Sequence, residues 1–311
     1  METLAKIVDK LACGSAVGAN TGKLGCLSLF GEPTHFMLIS KGMVIPKETV
    51  FDLTFLRPMV QKGLNIPLID AASFEDISGE DSMSTNSKNI ERLNLKGLPK
   101  YRFGFEEGHE FYRELSKLTS FKSKDVIIGD EEGNWMFAKN ANGDYTGFSA
   151  GQIVAEMRKT KQSGGDAESK SLTIQFLNRL QWDTNYGIIH ADSINWTPQE
   201  VPLINGVNLS FMAIPSDAET TISIKAVLSS DNSTAVSGLV VADFLVTNDG
   251  ITVVPSLVTE GADGEYVLTI AAISTGDVLF VDLWDGTLNV NAINSNDVLY
   301  RSEGVTETVI I

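Results

Sequence analysis

Residues 238–270 read GLVVADFLVTNDGITVVPSLVTEGADGEYVLTI. Runs rich in β-branched and aromatic residues are interrupted by Asn248-Asp249-Gly250 and by Gly261-Ala262-Asp263-Gly264, residue types that tolerate the positive φ of a tight turn. The same rhythm continues outward. Residues 207–214 (VNLSFMAI), 221–228 (TISIKAVL), 239–247, 251–254, 266–271 and 278–283 (VLFVDL) read as strands, broken at Pro215-Ser216-Asp217, at 229–233 and at 274–277. Turns at this short, regular spacing predict a sandwich or barrel and not a series of βαβ units. A domain covering 201–311 is therefore expected.

Within it, GLVVADFLVTNDG and SLVTEGADGEYVLTI resemble the bacterial immunoglobulin-like domains appended to phage virion proteins and bacterial surface proteins. The resemblance covers about a third of the chain. It implies that Tyr266, delivered by the Asp263-Gly264-Glu265 turn to the start of a late strand, forms a tyrosine corner. There is no Cys…Trp…Cys framework, which excludes the antibody branch of that fold.

The chain has 311 residues, 43% hydrophobic and 21% charged, enough for two ordinary globular domains. Its net charge of −16 is uneven: residues 201–311 carry fourteen acidic and two basic side chains, a net of −12, leaving −4 for residues 1–200. The acidic part should be repelled by nucleic acid and by anionic membranes. No stretch is apolar for long enough to cross a bilayer as a helix. Charges interleave through METLAKIVDKLACG, so neither an export signal nor a membrane partner is expected. Cys13 and Cys26 lack CxxC spacing and fit a reduced, cytosolic origin.

Residues 1–200 read as a β-rich assembly domain. Leu4, Ile7, Val8 and Leu11 fall at helical spacing, predicting a short amphipathic N-terminal arm over residues 2–12. The glycine-rich segment 13–25 fails as a phosphate loop, because Gly22-Lys23 is followed by Leu24 and Val17 stands where the first loop glycine belongs. Residues 34–45 alternate as a strand, and Phe51, Leu53 and Phe55 continue that period, with a helical turn over 56–63 as the competing reading. Residues 74–91 are polar and read as a long loop, a class usually functional or ordered by a partner. A strand at 101–105, a helix at 107–118 and strands at 126–129, 134–139 and 145–148 follow.

Residues 151–161 and 168–179 predict a long antiparallel hairpin. In the first arm Ile153, Ala155 and Met157 alternate with Glu156 and Arg158; in the second Leu172, Ile174 and Phe176 alternate with Thr173 and Gln175. A two-stranded ribbon is marginal alone. Its apolar face, with Ile153, Met157, Leu172, Ile174 and Phe176 as the candidate assembly residues, must lie on a neighbouring sheet of this chain or of another copy. Trp182 to Trp196 reads as a closing strand and then a proline-stiffened linker, with a glycan-binding aromatic surface as the alternative.

Every test for chemistry is negative. His109-Glu110 is followed at 113 by Arg where a zinc-protease helix needs histidine, and there is no GxSxG elbow or GxGxxG after a strand. The acidic turns 130–133 and 140–144 suit calcium in donor type but lack the distal glutamate of a full loop. No enzyme, cofactor or metal is expected.

A β-rich core with one central helix, a long loop, a long hairpin and an N-terminal arm resembles the tail-tube proteins of long-tailed phages. That resemblance implies a mainly β fold: a β-sandwich or partial barrel with one or two helices, plus the immunoglobulin-like sandwich. It implies rings of identical copies, hexameric in that family, closed through an inner β-barrel, with other virion proteins as partners and assembly in the host cytoplasm. Capsid decoration, a head–tail connector, or a module gripping host surface glycans through the C-terminal domain are the alternatives.

Overall fold

The computed structural model describes residues 3–4, 30–85, 91–159 and 169–311; for 85, 91–95, 110 and 157–159 it describes the backbone alone. The fold is mainly β, with several sheets that include a half-barrel. Contacts divide the chain into two compact units, Met1–Leu56 with Leu64–Val201, and Arg57–Gly63 with Pro202–Ile311.

The first unit contains strands β1 (Pro33–Ser40), β2 (Asn65–Leu68), β3 (Ser73–Asp76), β4 (Ser82–Thr85), β5 (Glu91–Leu95), β6 (Lys100–Phe105), β7 (Ser120–Phe121), β8 (Lys124–Asp130), β9 (Trp135–Lys139), β10 (Tyr145–Thr146), β11 (Phe148–Lys159), β12 (Ser169–Phe176) and β13 (Tyr186–Ile189). Helices α1 (Leu53–Gln61), α2 (His109–Ser116) and α3 (Arg179–Asp183) interrupt them. Eleven strands form one sheet along the path β10-β9-β8-β11-β12-β6-β3, with β1 joining β2 to β8, β13 on β9 and β7 on β11; β4 and β5 form a separate hairpin.

Strands β1 and β8 explain why the sequence there is apolar without alternation. Phe36, Leu38, Val126 and Ile128 face one core, with Phe103, Phe148, Leu172 and Ile174; Met37, Ile39 and Ile127 face a second, with Trp135, Phe137, Tyr145 and Trp196. A strand covered on both faces has no polar side to show. Leu4 is buried in the second core and its N–H donates to Thr49 O at 2.8 Å; the rest of the predicted arm, both cysteines and the 13–25 segment lie outside the described residues.

Several expectations are corrected. Residues 53–61 are helical, begun by Asp52, whose Oδ1 accepts the Phe55 N–H at 2.9 Å; an N-cap outweighs the period-two pattern of Phe51, Leu53 and Phe55. The polar stretch 74–91 contains strand residues. β3 pairs with β6 through Phe74↔Phe103 and Glu75↔Arg102, and β4 pairs with β5. β3 and β4 are largely exposed, so neither had reason to look like a buried strand. Between Trp182 and Trp196 the chain forms the end of α3, then β13 and a 3-10 turn (Ala191–Ser193), in place of one closing strand.

The second unit is a sandwich of β14 (Ile204–Phe211), β15 (Thr221–Leu228), β16 (Phe244–Asn248), β17 (Ile251–Val253), β18 (Leu257–Glu260), β19 (Glu265–Thr269), β20 (Val278–Leu283), β21 (Ala292–Ser295), β22 (Val298–Ser302) and β23 (Val305–Thr308). One sheet runs β18-β19-β15-β14-β22-β21 and the other β17-β16-β20-β23. With β14, β15, β18 and β19 as strands A, B, D and E, and β16, β17, β20 and β23 as C, C′, F and G, this is the immunoglobulin order. The hairpin β21–β22 is added to it, and β22 lies parallel to β14.

Ile222, Ile224 and Ala226 alternate inward from β15 to meet Val246, Leu279 and Val281 of the facing sheet. Four strands (β18, β21, β22 and β23) escaped the sequence reading, and 239–243 is a 3-10 approach (Val241–Asp243) to a shorter strand. Gly264, at φ +77°, holds the turn before β19. An added Cβ there would stand 2.4 Å from Ala226 O, so the position excludes every side chain.

Candidate assembly surface

The predicted hairpin exists as β11 and β12, in register from Ala150↔Phe176 through Ile153↔Ile174 and Ala155↔Leu172 to Lys159↔Ser169. Its turn, 160–168, and the side chain of Met157 lie outside the described residues. Ile153, Leu172, Ile174 and Phe176 are brought together, each at most 1% exposed, on a core that includes Phe36, Phe103 and Phe148. The apolar face is thus covered within the chain by the curl of the half-barrel, and these four residues present nothing to a second copy. The opposite face is polar but only partly wet. Ser171 and Thr173 are buried, and among the described residues their hydroxyls have no hydrogen-bond partner.

Trp182 closes one end of the same core, stacked on Phe148 at 4.3 Å and edge-on to Phe176 and Tyr101. Trp196 is 5% exposed and its Nε1–H donates to Phe51 O at 3.1 Å. Both tryptophans of the segment read as a glycan-binding alternative are engaged in packing. The acidic turns are equally committed. Asp130 is fully buried, its carboxylate accepting N–H groups from Gly31, Glu132 and Asn134 and the Asn134 amide; Asn140 Oδ1 accepts from Asn142 and Asp144. These side chains stand in for missing backbone partners in tight turns.

Among the described residues no group of three or more His, Cys, Asp or Glu is placed to hold a metal. His35 is buried against Trp135, its Nδ1 accepting the Asp70 N–H at 3.0 Å, and burial lowers its pKa. Asp125, also buried, has its carboxyl pushed up by loss of solvent despite the Gly42 N–H at 2.7 Å.

What remains free in this unit is sheet edge. Among the described residues β2, β3, β7 and β13 each pair with one strand only. β2 (Asn65-Ile66-Pro67-Leu68) contains a proline that lacks a donor, and β3 (Ser73-Phe74-Glu75-Asp76) carries two acids, both devices that discourage strand addition. β13, Tyr186-Gly187-Ile188-Ile189, has neither device, and Tyr186 is 40% exposed. Phe121, 70% exposed on β7, and Leu180, 61% exposed on α3, add apolar surface elsewhere.

No signal in the sequence separates Ile188 from an ordinary core residue. Its significance comes from the strand order alone. No protein-family model and no curated protein matches the chain.

Proposed function

We propose that this chain is a self-assembling structural protein of a phage virion, most simply the subunit of a tail tube formed in the host cytoplasm, with its acidic immunoglobulin-like sandwich on the solvent side. The observation that carries the reading is the half-barrel of the first unit, a curled sheet that among the described residues does not close on itself and keeps an edge at β13 with no paired strand. An open edge without charge or proline is a liability in a monomer and an asset in a ring, where each copy completes the next. The mechanism is mechanical: edge pairing supplies main-chain hydrogen bonds, and repetition by symmetry closes the ring. The −12 charge of residues 201–311 keeps the sandwich solvated and discourages sandwiches from packing on each other.

Negative-stain electron microscopy of the full chain, with its mass in solution, tests this. Stacked rings or tubes are expected. A small closed oligomer would replace the tube with a decoration or connector role, and a monomer at every concentration would overturn self-assembly. Ile188→Lys, which places a charge on the β13 edge, should leave the fold intact and abolish assembly.

A further inference from the structure

The chain has four tryptophans, at 135, 182, 196 and 284. Trp135, Trp182 and Trp196 all take part in ring-to-ring packing in the first unit. Trp284 is the single tryptophan of the sandwich. Among the described residues it makes no ring contact, and its indole N–H has no partner. It is partly exposed and lines an open cleft of about 1010 Å³ that lies wholly within residues 241–294. A large aromatic side chain, partly exposed in a concavity of ligand size, calls for an occupant.

The other lining groups define the chemistry. Thr252, Asn289 and Asn294 bring uncharged polar side chains to the cleft, and Asp243 and Asp285 bring carboxylates. Both acids are anchored: Asp243 Oδ2 accepts the Val240 N–H at 2.8 Å, and Asp285 Oδ1 accepts those of Thr287 and Leu288 at 2.9 Å while its Oδ2 accepts the Gln61 side-chain amide at 2.8 Å. Trp284 is tied to the same wall through its backbone N–H, which donates to Asp243 O at 2.9 Å. The backbone that carries the indole is thus held beside these hydrogen-bonding groups before any ligand arrives, which lowers the ordering cost of binding.

We propose that this cleft binds a neutral oligosaccharide, with the apolar face of one pyranose on the Trp284 indole and its hydroxyls donating to the Asp243 and Asp285 carboxylates and exchanging hydrogen bonds with Asn289 and Asn294. The acidity of residues 201–311 disfavours sialylated or uronic sugars, which would meet a net of −12 there. A small organic cation is the poorer fit, because the cleft is several times larger than such an ion and its second aromatic residue, Phe244, is buried, so no cage of exposed rings closes round a charge. The inference stands apart from assembly, since each copy carries a complete cleft. Assembly would add avidity: many weak sites on one particle bind a polysaccharide surface far more tightly than one site does.

The test uses the full-length protein on an array of neutral hexose and N-acetylhexosamine oligomers, sialylated oligomers and a choline-bearing surface. Saturation-transfer NMR with the retained sugar follows. Retention on neutral oligomers is expected. Trp284→Ala should weaken it by roughly tenfold or more, about 1.4 kcal/mol, Asn294→Ala should weaken it less, and Trp284→Phe should keep part of it. Because Trp284 lies outside the core, the thermal midpoint of each variant should match the parent. Failure to retain any neutral sugar, retention indifferent to Trp284→Ala, or preference for the sialylated or choline surfaces would each overturn the proposal. Electron microscopy of the same samples reports assembly separately, so the two readings fail independently.

Discussion

The Tyr266 hydroxyl donates to Val236 O at 2.8 Å and accepts the Leu239 N–H at 3.3 Å, joining β19 of one sheet to the segment that leads into β16 of the other. Tyr266 is fully buried, its ring lies 5.6 Å from Phe244, and burial pushes its pKa up to about 12. The sequence predicts a tyrosine corner, in which a tyrosine near the start of strand F bonds to backbone a few residues upstream. The finding differs in two respects. Tyr266 begins strand E, and its partners lie about thirty positions earlier in the chain. It acts as a staple between sheets.

Tyr266→Phe removes both hydrogen bonds and leaves the Val236 carbonyl and Leu239 N–H buried without that partner. A loss of about 1–3 kcal/mol is expected in the stability of the sandwich. Denaturant unfolding of the Trp135→Phe/Trp182→Phe/Trp196→Phe background, in which Trp284 is the one remaining tryptophan, measures it by fluorescence, and an unchanged midpoint would show that water replaces the hydroxyl.

Ile174→Asp separates a core from an assembly role for the hairpin. Ile174 is 0% exposed and pairs with Ile153, inside the half-barrel core. An unpaired carboxylate there should cost on the order of 4 kcal/mol or more and unfold the first unit. Circular dichroism reads the result. A folded but monomeric variant would restore the hairpin face as an interface between copies.

Asp282 provides a pH test. It is buried on β20, next to Ser302 of the other sheet, with its Oδ1 accepting the Ser302 hydroxyl and the Leu283 N–H. Burial raises its pKa above the ordinary 3.8, only partly offset by those two donors. A carboxyl whose folded pKa is raised stabilises the fold fully below its unfolded pKa and loses that contribution as pH rises through the folded value. Asp282→Asn should therefore be more stable than the parent at pH 7, with the gain shrinking to nothing below pH 3.8. Thermal midpoints across pH 3 to 8 check this. A difference independent of pH would show that the amide acts through packing and not through charge.

The strand alternation of 221–228 and 278–281 was legible because each has one face in the core and the other more open to solvent, so local period and tertiary burial agree, until the buried Asp282 breaks it. Where burial departs from that rule, legibility fails. β3 and β4 are exposed and polar, and they read as loop. β21, β22 and β23 are four or five residues long, too short for a period to show. The candidate sites were less legible still. The hairpin residues were found as a group, but which neighbour covers them was not in their sequence, and the edge status of β13 and the cleft around Trp284 arise from residues far apart along the chain.

By itself the sequence determined the local elements: the turns at Asn248-Asp249-Gly250 and Asp263-Gly264, the two alternating arms of the hairpin, the acidity of the last third and the β character of the whole. These depend on backbone preference and side-chain alternation over a few neighbouring residues. Only the tertiary structure decided that Tyr266 staples two sheets, that the hairpin's apolar face is covered by its own chain, that β13 is left as an edge and that Trp284 is left wet. Each depends on which distant segment arrives to cover a surface, and that is settled by the packing of the whole chain, where one strand's burial is another strand's contact.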